Sequence, residues 1–316
     1  MLATIRYVAS EIVDNYDDKR WWKQRITHRV NGGVQSYYPG YDDAVAVMDE
    51  DWDNFVVLDA CRPDLFKEIV DVDRFDSYQE KTSLGSATPE WLKRNFQGEY
   101  GDTVYVSANP QVTKHANGKF HRLIEVWKDE FTDDDRKVMP DPVTDAAIEA
   151  SQEYPDKRLI VHYMQPHVPF VTTDQLYYGG MYTPEKVIEG DPEFTEYQNA
   201  RNVWEALEMG IVEYDELWKY YRENLEVAME SVWRLLDEVD GRTVVTSDHG
   251  NSVGERGWPI PLKTYGHPTG IRSKELVTVP WAVVEGERRQ ITDGETERTA
   301  VDKDEIENRL QDLGYK

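Results

Sequence analysis

The run Thr246-Ser-Asp-His-Gly-Asn-Ser-Val-Gly254 sets a carboxylate beside an imidazole, Asp248 and His249, among glycines that let backbone come close to a ligand. Carboxylate oxygen and imidazole nitrogen are ligands for divalent cations such as Zn²⁺ or Mn²⁺. An Asp-His pair alone is weak evidence and is usually structural. Two further residues change the weight: Asp59, which ends the apolar run Asn54-Phe-Val-Val-Leu-Asp59, and His267 in Tyr265-Gly-His-Pro-Thr-Gly270. With them the set can hold a metal and an anion. His162 and His167, in His162-Tyr-Met-Gln-Pro-His167-Val-Pro-Phe170, bring four of the seven histidines into the pattern, although His162 lies inside an apolar run that suits packing equally well.

Common placement ties these residues together. Apolar, β-branched runs at 54–59, 103–107, 158–162, 242–246 and 276–280 predict strands buried on both faces, and helices are expected at 64–70, 89–96, 143–153 and 213–239. The alternation predicts an α/β fold, a three-layer α/β/α sandwich around a mostly parallel sheet. Ligands gather at the carboxyl ends of strands in such sheets, and Asp59, His162 with His167, and Asp248 with His249 stand where three runs stop. Residues 1–50 read as an N-terminal helical extension, with Ile5, Val8, Ile12 and Val13 at helical spacing before Trp21 and Trp22, and residues 51–316 as the catalytic domain. That stripe is expected to pack on the domain, since its polar face carries acids as well as bases. A solvated acidic loop is expected at 128–142 and a surface insertion or lid at 171–212.

The charge narrows the functional class. With 61 acidic against 36 basic residues the formal charge is -25, which disfavours a nucleic-acid partner, because binding phosphates requires clustered Lys and Arg. Aromatic residues make up 12% of the chain, enough with the strand-like runs to indicate a folded body coated in carboxylates rather than a disordered acidic chain. Such a coat keeps a protein hydrated where salt screens its self-repulsion, so a halophilic setting is expected. The single cysteine, Cys61, cannot form an internal disulfide. Neither a signal-peptide core nor a run of about 20 apolar residues is present, so no transmembrane segment and a cytoplasmic location are expected.

In order along the chain, from about residue 50 to 285, these segments resemble the sulfatase-like branch of the alkaline phosphatase superfamily. The run from Thr246, with Glu255 and Gly266-His267, is similar to the Ser-Asp-His-Gly signature of sulfatases and of phosphoethanolamine and glycerol-phosphate transferases. The resemblance implies that Asp59, Asp248, His249 and His267 bind a divalent metal ion (Zn, Mn, Ca or Mg) and that His167 and His267 contact the transferred group. It also implies a hydroxyl nucleophile at the helix following the first βα unit. Gly85-Ser-Ala-Thr-Pro-Glu-Trp91 matches that location, with Thr88 as nucleophile and Ser86 in reserve. Thr followed by Pro and Glu is also a good helix N-cap, a role compatible with the first.

Sulfatases proper carry Cys-x-Pro-x-Arg. Here Cys61-Arg-Pro-Asp-Leu65 lacks the final Arg and comes too early in the fold, which turns the expectation from sulfate toward phosphate. Cys61 is expected to be a small buried residue. Arg62 could bind a tetrahedral anion or form a surface ion pair. The expected activity is that of a metal-dependent hydrolase or transferase acting on a small-molecule, glycan- or lipid-linked phosphate- or sulfate-type ester. Alternatives are a phosphodiesterase or phosphomutase of the same superfamily, or a catalytically silent binding protein.

Overall fold

The computed structural model describes residues 11–131, 137–173, 200, 202–300 and 302–312. Its centre is β2 (Asn54–Asp59), whose every residue is buried. Side chains alternate along a strand, so Phe55 and Val57 enter one apolar core with Trp91 and Ile160, while Val56 and Leu58 enter another with Phe66 and Val161. Two cores on opposite faces of one sheet make the three layers expected.

Eight strands form that sheet in the order β1 (Ala44–Val45), β3 (Ser77–Ser83), β10 (Thr278–Val284), β7 (Thr243–Thr246), β2, β6 (Arg158–Pro166), β4 (Tyr100–Ser107), β5 (Phe120–Glu125). β2 pairs in parallel with β6 and β7, β4 with β5 and β6, and β1 with β3, whereas β10 runs antiparallel to both neighbours. The sheet is therefore mixed and mostly parallel. A separate antiparallel hairpin joins β8 (Ser252–Arg256) to β9 (Lys263–Gly266). Helices relevant to the site are α1 (Lys19–Ile26), α2 (Pro63–Ile69), α3 (Thr88–Asn95), α4 (Pro110–Ala116), α5 (Pro140–Glu153), α6 (Val203–Met209) and α7 (Tyr214–Glu238).

Most departures from expectation have a local cause. The run at 276–280 begins as a helical turn, Lys274–Val277, and the strand starts only at Thr278. β3 was not expected, because Ser-Tyr-Gln-Glu-Lys-Thr-Ser has one apolar residue in seven and is mostly unburied; it is held by backbone pairing to β10 from Thr82 to Ser77. β5 and the β8–β9 hairpin were also unanticipated.

Within the N-terminal segment, Ile5 and Val8 lie outside the described residues. Ile12 and Val13 are exposed, which corrects the expected packing stripe. Polar contacts attach this segment instead: Asn31 exchanges two hydrogen bonds with the backbone of Ile260 (2.9 and 3.0 Å), and Gln35 Oε1 accepts from Arg272 N at 2.6 Å. Of the two expected loops, 132–136, 174–199 and 201 lie outside the described residues, and both contain helix, Val126–Glu130 and α6. No helix among the described residues is long and apolar enough to cross a membrane.

Candidate active site

Because β7, β2 and β6 are parallel neighbours, their carboxyl ends emerge side by side. β2 delivers Asp59 through a register shift against β6 between Leu58 and Asp59, and the next residue, Ala60, takes a left-handed φ of 60°. That conformation costs a residue with a Cβ about 1–2 kcal/mol. The turn is held by Ala60 N donating to Asp248 Oδ1 at 3.1 Å and by the Tyr221 hydroxyl donating to Ala60 O. The Ala60 N–H thus ties the turn after Asp59 to Asp248.

Asp59, Asp248 and His249 are fully buried, and one ligand atom from each lies within 4.8 Å of the others. His249 Nδ1 is 2.8 Å from Gly250 O; a carbonyl only accepts, so Nδ1 carries the hydrogen and Nε2 presents its lone pair. Nε2 stands 3.7 Å from Asp59 Oδ1 and 3.5 Å from Asp248 Oδ2. Asp248 Oδ1 accepts from Ala60 N and His249 N, but Oδ2 is buried without a hydrogen-bond partner. Two carboxylates, an imidazole lone pair and an unsatisfied buried oxygen fit a divalent cation in donor type and charge. Gly250 is required next to them, since a Cβ there would meet Glu275 O at 2.2 Å.

Thr88 completes the cluster in a way that corrects its N-cap reading. The cap is Ala87, extended at φ -158°, whose carbonyl accepts from Glu90 N and Trp91 N, and no side chain caps the helix. Thr88 is the first residue of α3, and its buried Oγ1 lies 3.3 Å from His249 Nε2 and 3.5 Å from Asp59 Oδ2. A helix N-terminus favours negative charge at this position. The hydrogen bonds of Ser86 go elsewhere: Oγ is 3.0 Å from Glu90 Oε2 and 3.1 Å from Pro268 O, and it accepts from Gly270 N at 2.9 Å.

His167 and His267 lie beside the cluster, tilted against each other with ring centroids 4.9 Å apart and with His267 4.7 Å from His249. His267 is not one of the three residues whose ligand atoms converge. Its Nδ1 lies 3.2 Å from Asn251 Oδ1, while His167 Nδ1 faces Val168 O and its backbone is held by Asn224 of α7. Burial lowers both imidazole pKa values, and the neighbouring imidazoles lower that of His267 further. For Asp59, burial opposes ionisation, but the neighbouring imidazoles of His167, His162 and His249 outweigh it and hold the carboxyl below its ordinary range.

His162 serves both roles left open for it. It is fully buried between Trp91 and Tyr105, with Nδ1 2.9 Å from the Tyr105 hydroxyl, and Nε2 3.7 Å from Asp59 Oδ2. Arg62 is no surface ion pair: it is buried, with bonds to Asp64, Glu255 and Asn251 O. Cys61 is buried as expected. The sequence reading missed Asn109, whose Nδ2 donates to Asp59 Oδ2 at 2.7 Å. It sits two residues past the end of β4, where the strand-end rule could have found it.

No protein-family model matches this sequence, and no curated protein matches it. Among solved structures, the integral membrane lipooligosaccharide phosphoethanolamine transferase A from Neisseria meningitidis is 13% identical with a TM-score of 0.46, over 90% of this chain and 59% of that one. This chain thus spans about 59% of that protein's length. The C-terminal periplasmic domain of EptC from Escherichia coli, in complex with Zn, is 14% identical with a TM-score of 0.46, over 74% of this chain and 72% of that one. A protein in the alkaline phosphatase superfamily from Vibrio parahaemolyticus is 11% identical with a TM-score of 0.37, over 79% and 64%.

Proposed function

We propose that this chain is a metal-dependent enzyme that cleaves or transfers a phosphate-type ester through Thr88. The observation that carries this is a single buried hydroxyl, at a helix N-terminus, in contact with two members of a convergent Asp59, Asp248 and His249 set. Those three residues would hold a divalent cation, whose Lewis acidity would lower the pKa of a hydroxyl beside it. Thr88 Oγ1 gives up its proton to solvent and forms a bond to phosphorus as the bond to the leaving alcohol oxygen breaks, and that oxygen takes up a proton from solvent. Water or an acceptor alcohol then attacks phosphorus, losing its proton to solvent, as the bond to Thr88 Oγ1 breaks and that oxygen is reprotonated. In this reading His167 and His267, which both line the cavity beside Thr88, stand next to the transferred group. Asn109 orients Asp59 by a charge-assisted hydrogen bond.

Phosphate is favoured over sulfate because Cys61-Arg-Pro-Asp-Leu65 lacks the final Arg of the sulfatase motif and comes too early in the fold. Ser86, tied to Glu90 and Gly270, is a positioning residue for the loop that precedes α3. The test is metal content together with turnover of chromogenic phosphate mono- and diesters, sulfates and phosphonates. Asp248→Asn and Asp59→Asn should each remove most of a bound divalent ion and of the phosphoester turnover. Unchanged metal stoichiometry in both would refute the ligand set.

A further inference from the structure

The cavity at the site is larger than a phosphate needs. Its volume is about 380 Å³, and its wall runs from Pro89, next to Thr88, past His267 to Trp204 and Gln111, with Arg20 of α1 also lining it. That size falls within the range of small-molecule sites.

The wall's carboxylates are already engaged. Arg20 pairs with Glu205, and Glu208 pairs with Lys23, so a cationic substituent would find both acids taken and Arg20 beside it. Among the described residues, Arg20 Nε, Trp204 Nε1 and Gln111 Oε1 are buried without a hydrogen-bond partner, Trp204 and Gln111 being only 5% and 6% exposed. A buried N–H donor and a buried amide acceptor without partners carry a desolvation penalty that a ligand able to accept and donate removes. Hydroxyl groups do both. Trp204 and Tyr265 line the same wall.

We propose that this cavity is a subsite for a neutral, polyhydroxylated, sugar-like group of the ester, recognised through Trp204 and Gln111. The proposal rests on the phosphoester reading above for the charged half of the substrate, and it predicts discrimination against a cationic substituent such as an aminoalkyl group.

Calorimetric titration of the full chain, loaded with Mn²⁺ in molar KCl, tests it with three non-hydrolysable probes: methylphosphonate, 2-aminoethylphosphonate and the phosphonate isostere of glucose 1-phosphate. The sugar phosphonate should bind at least about tenfold more tightly than methylphosphonate, a difference of about 1.4 kcal/mol. The aminoethyl probe should gain nothing. In Trp204→Phe, which removes the N–H together with one ring of the indole, and in Gln111→Leu, the ratio of sugar phosphonate to methylphosphonate affinity should fall toward one. A preference for the aminoethyl probe, a ratio near one in the parent protein, or a ratio unmoved by both substitutions would overturn the subsite. If methylphosphonate fails to bind and Asp248→Asn changes nothing, the phosphoester reading fails separately. Methyl α-glucoside then reads the cavity alone: saturable binding that is lost in Gln111→Leu sustains the subsite, and no saturable binding defeats it.

Discussion

Replacing Thr88 separates a structural hydroxyl from a reacting one. Ala87, not Thr88, caps α3, so the usual N-cap loss of about 0.5–2 kcal/mol does not apply to Thr88→Ala. The hydroxyl's contacts, at 3.3 and 3.5 Å, lie at the long end of hydrogen bonding, so their loss should cost no more than about 1 kcal/mol. Removing the buried methyl adds about 0.8 kcal/mol. Thr88→Ala should therefore lose about 1–2 kcal/mol in denaturant unfolding, a protein still folded at 25 °C. Turnover of a chromogenic phosphoester should fall by about four orders of magnitude or more, equivalent to at least about 5.4 kcal/mol of transition-state stabilisation. Thr88→Ser, which keeps the hydroxyl, should retain far more turnover than Thr88→Ala at similar stability. The reasoning is refuted if Thr88→Ala stays folded with turnover within tenfold of the parent, or if Ser and Ala are equally impaired.

Three further outcomes follow from the geometry and charge. The net charge of -25 should make stability rise with ionic strength as the screening length shrinks from about 10 Å at 0.1 M to about 3 Å at 1 M salt, and equal melting temperatures in dilute and molar KCl would contradict this. Gly85→Ala would set a Cβ 2.5 Å from Trp91 N, so it should destabilise the chain by about 1–3 kcal/mol and reduce turnover, because the atoms that must shift belong to the helix carrying Thr88. For Glu90, burial raises the carboxyl pKa, but hydrogen bonds from Ser86, Tyr41 and Gly270 outweigh it, leaving the folded value below the ordinary 4.5. Its contribution is then fully present above the unfolded pKa and lost as pH falls through the folded one, so Glu90→Gln should cost stability at pH 7 and progressively less in acid, as measured by urea unfolding across pH.

The sequence by itself determined the residues that can do chemistry and the layered fold that carries them. Runs such as Phe55-Val-Val-Leu58 suit strands buried on both faces, and the α/β alternation makes most of those strands parallel. Parallel neighbours end on one edge, so Asp59, His167, Asp248 and His249 could be grouped before any coordinate was seen. Strands without an apolar pattern were invisible for the same reason, β3 above all, since partner backbone rather than its own side chains holds it. Tertiary structure alone decided what each side chain does. The N-cap of α3 fell to Ala87 and the Thr88 hydroxyl turned to Asp59 and His249, while Ser86 was taken by Glu90 and by Gly270, 184 residues away. Arg62 was consumed by Asp64 and Glu255, and Trp204 and Gln111 met in the wall of one cavity. Local pattern sets which elements form and which faces they bury; hydrogen-bond partners far apart in the chain are chosen only when those elements pack.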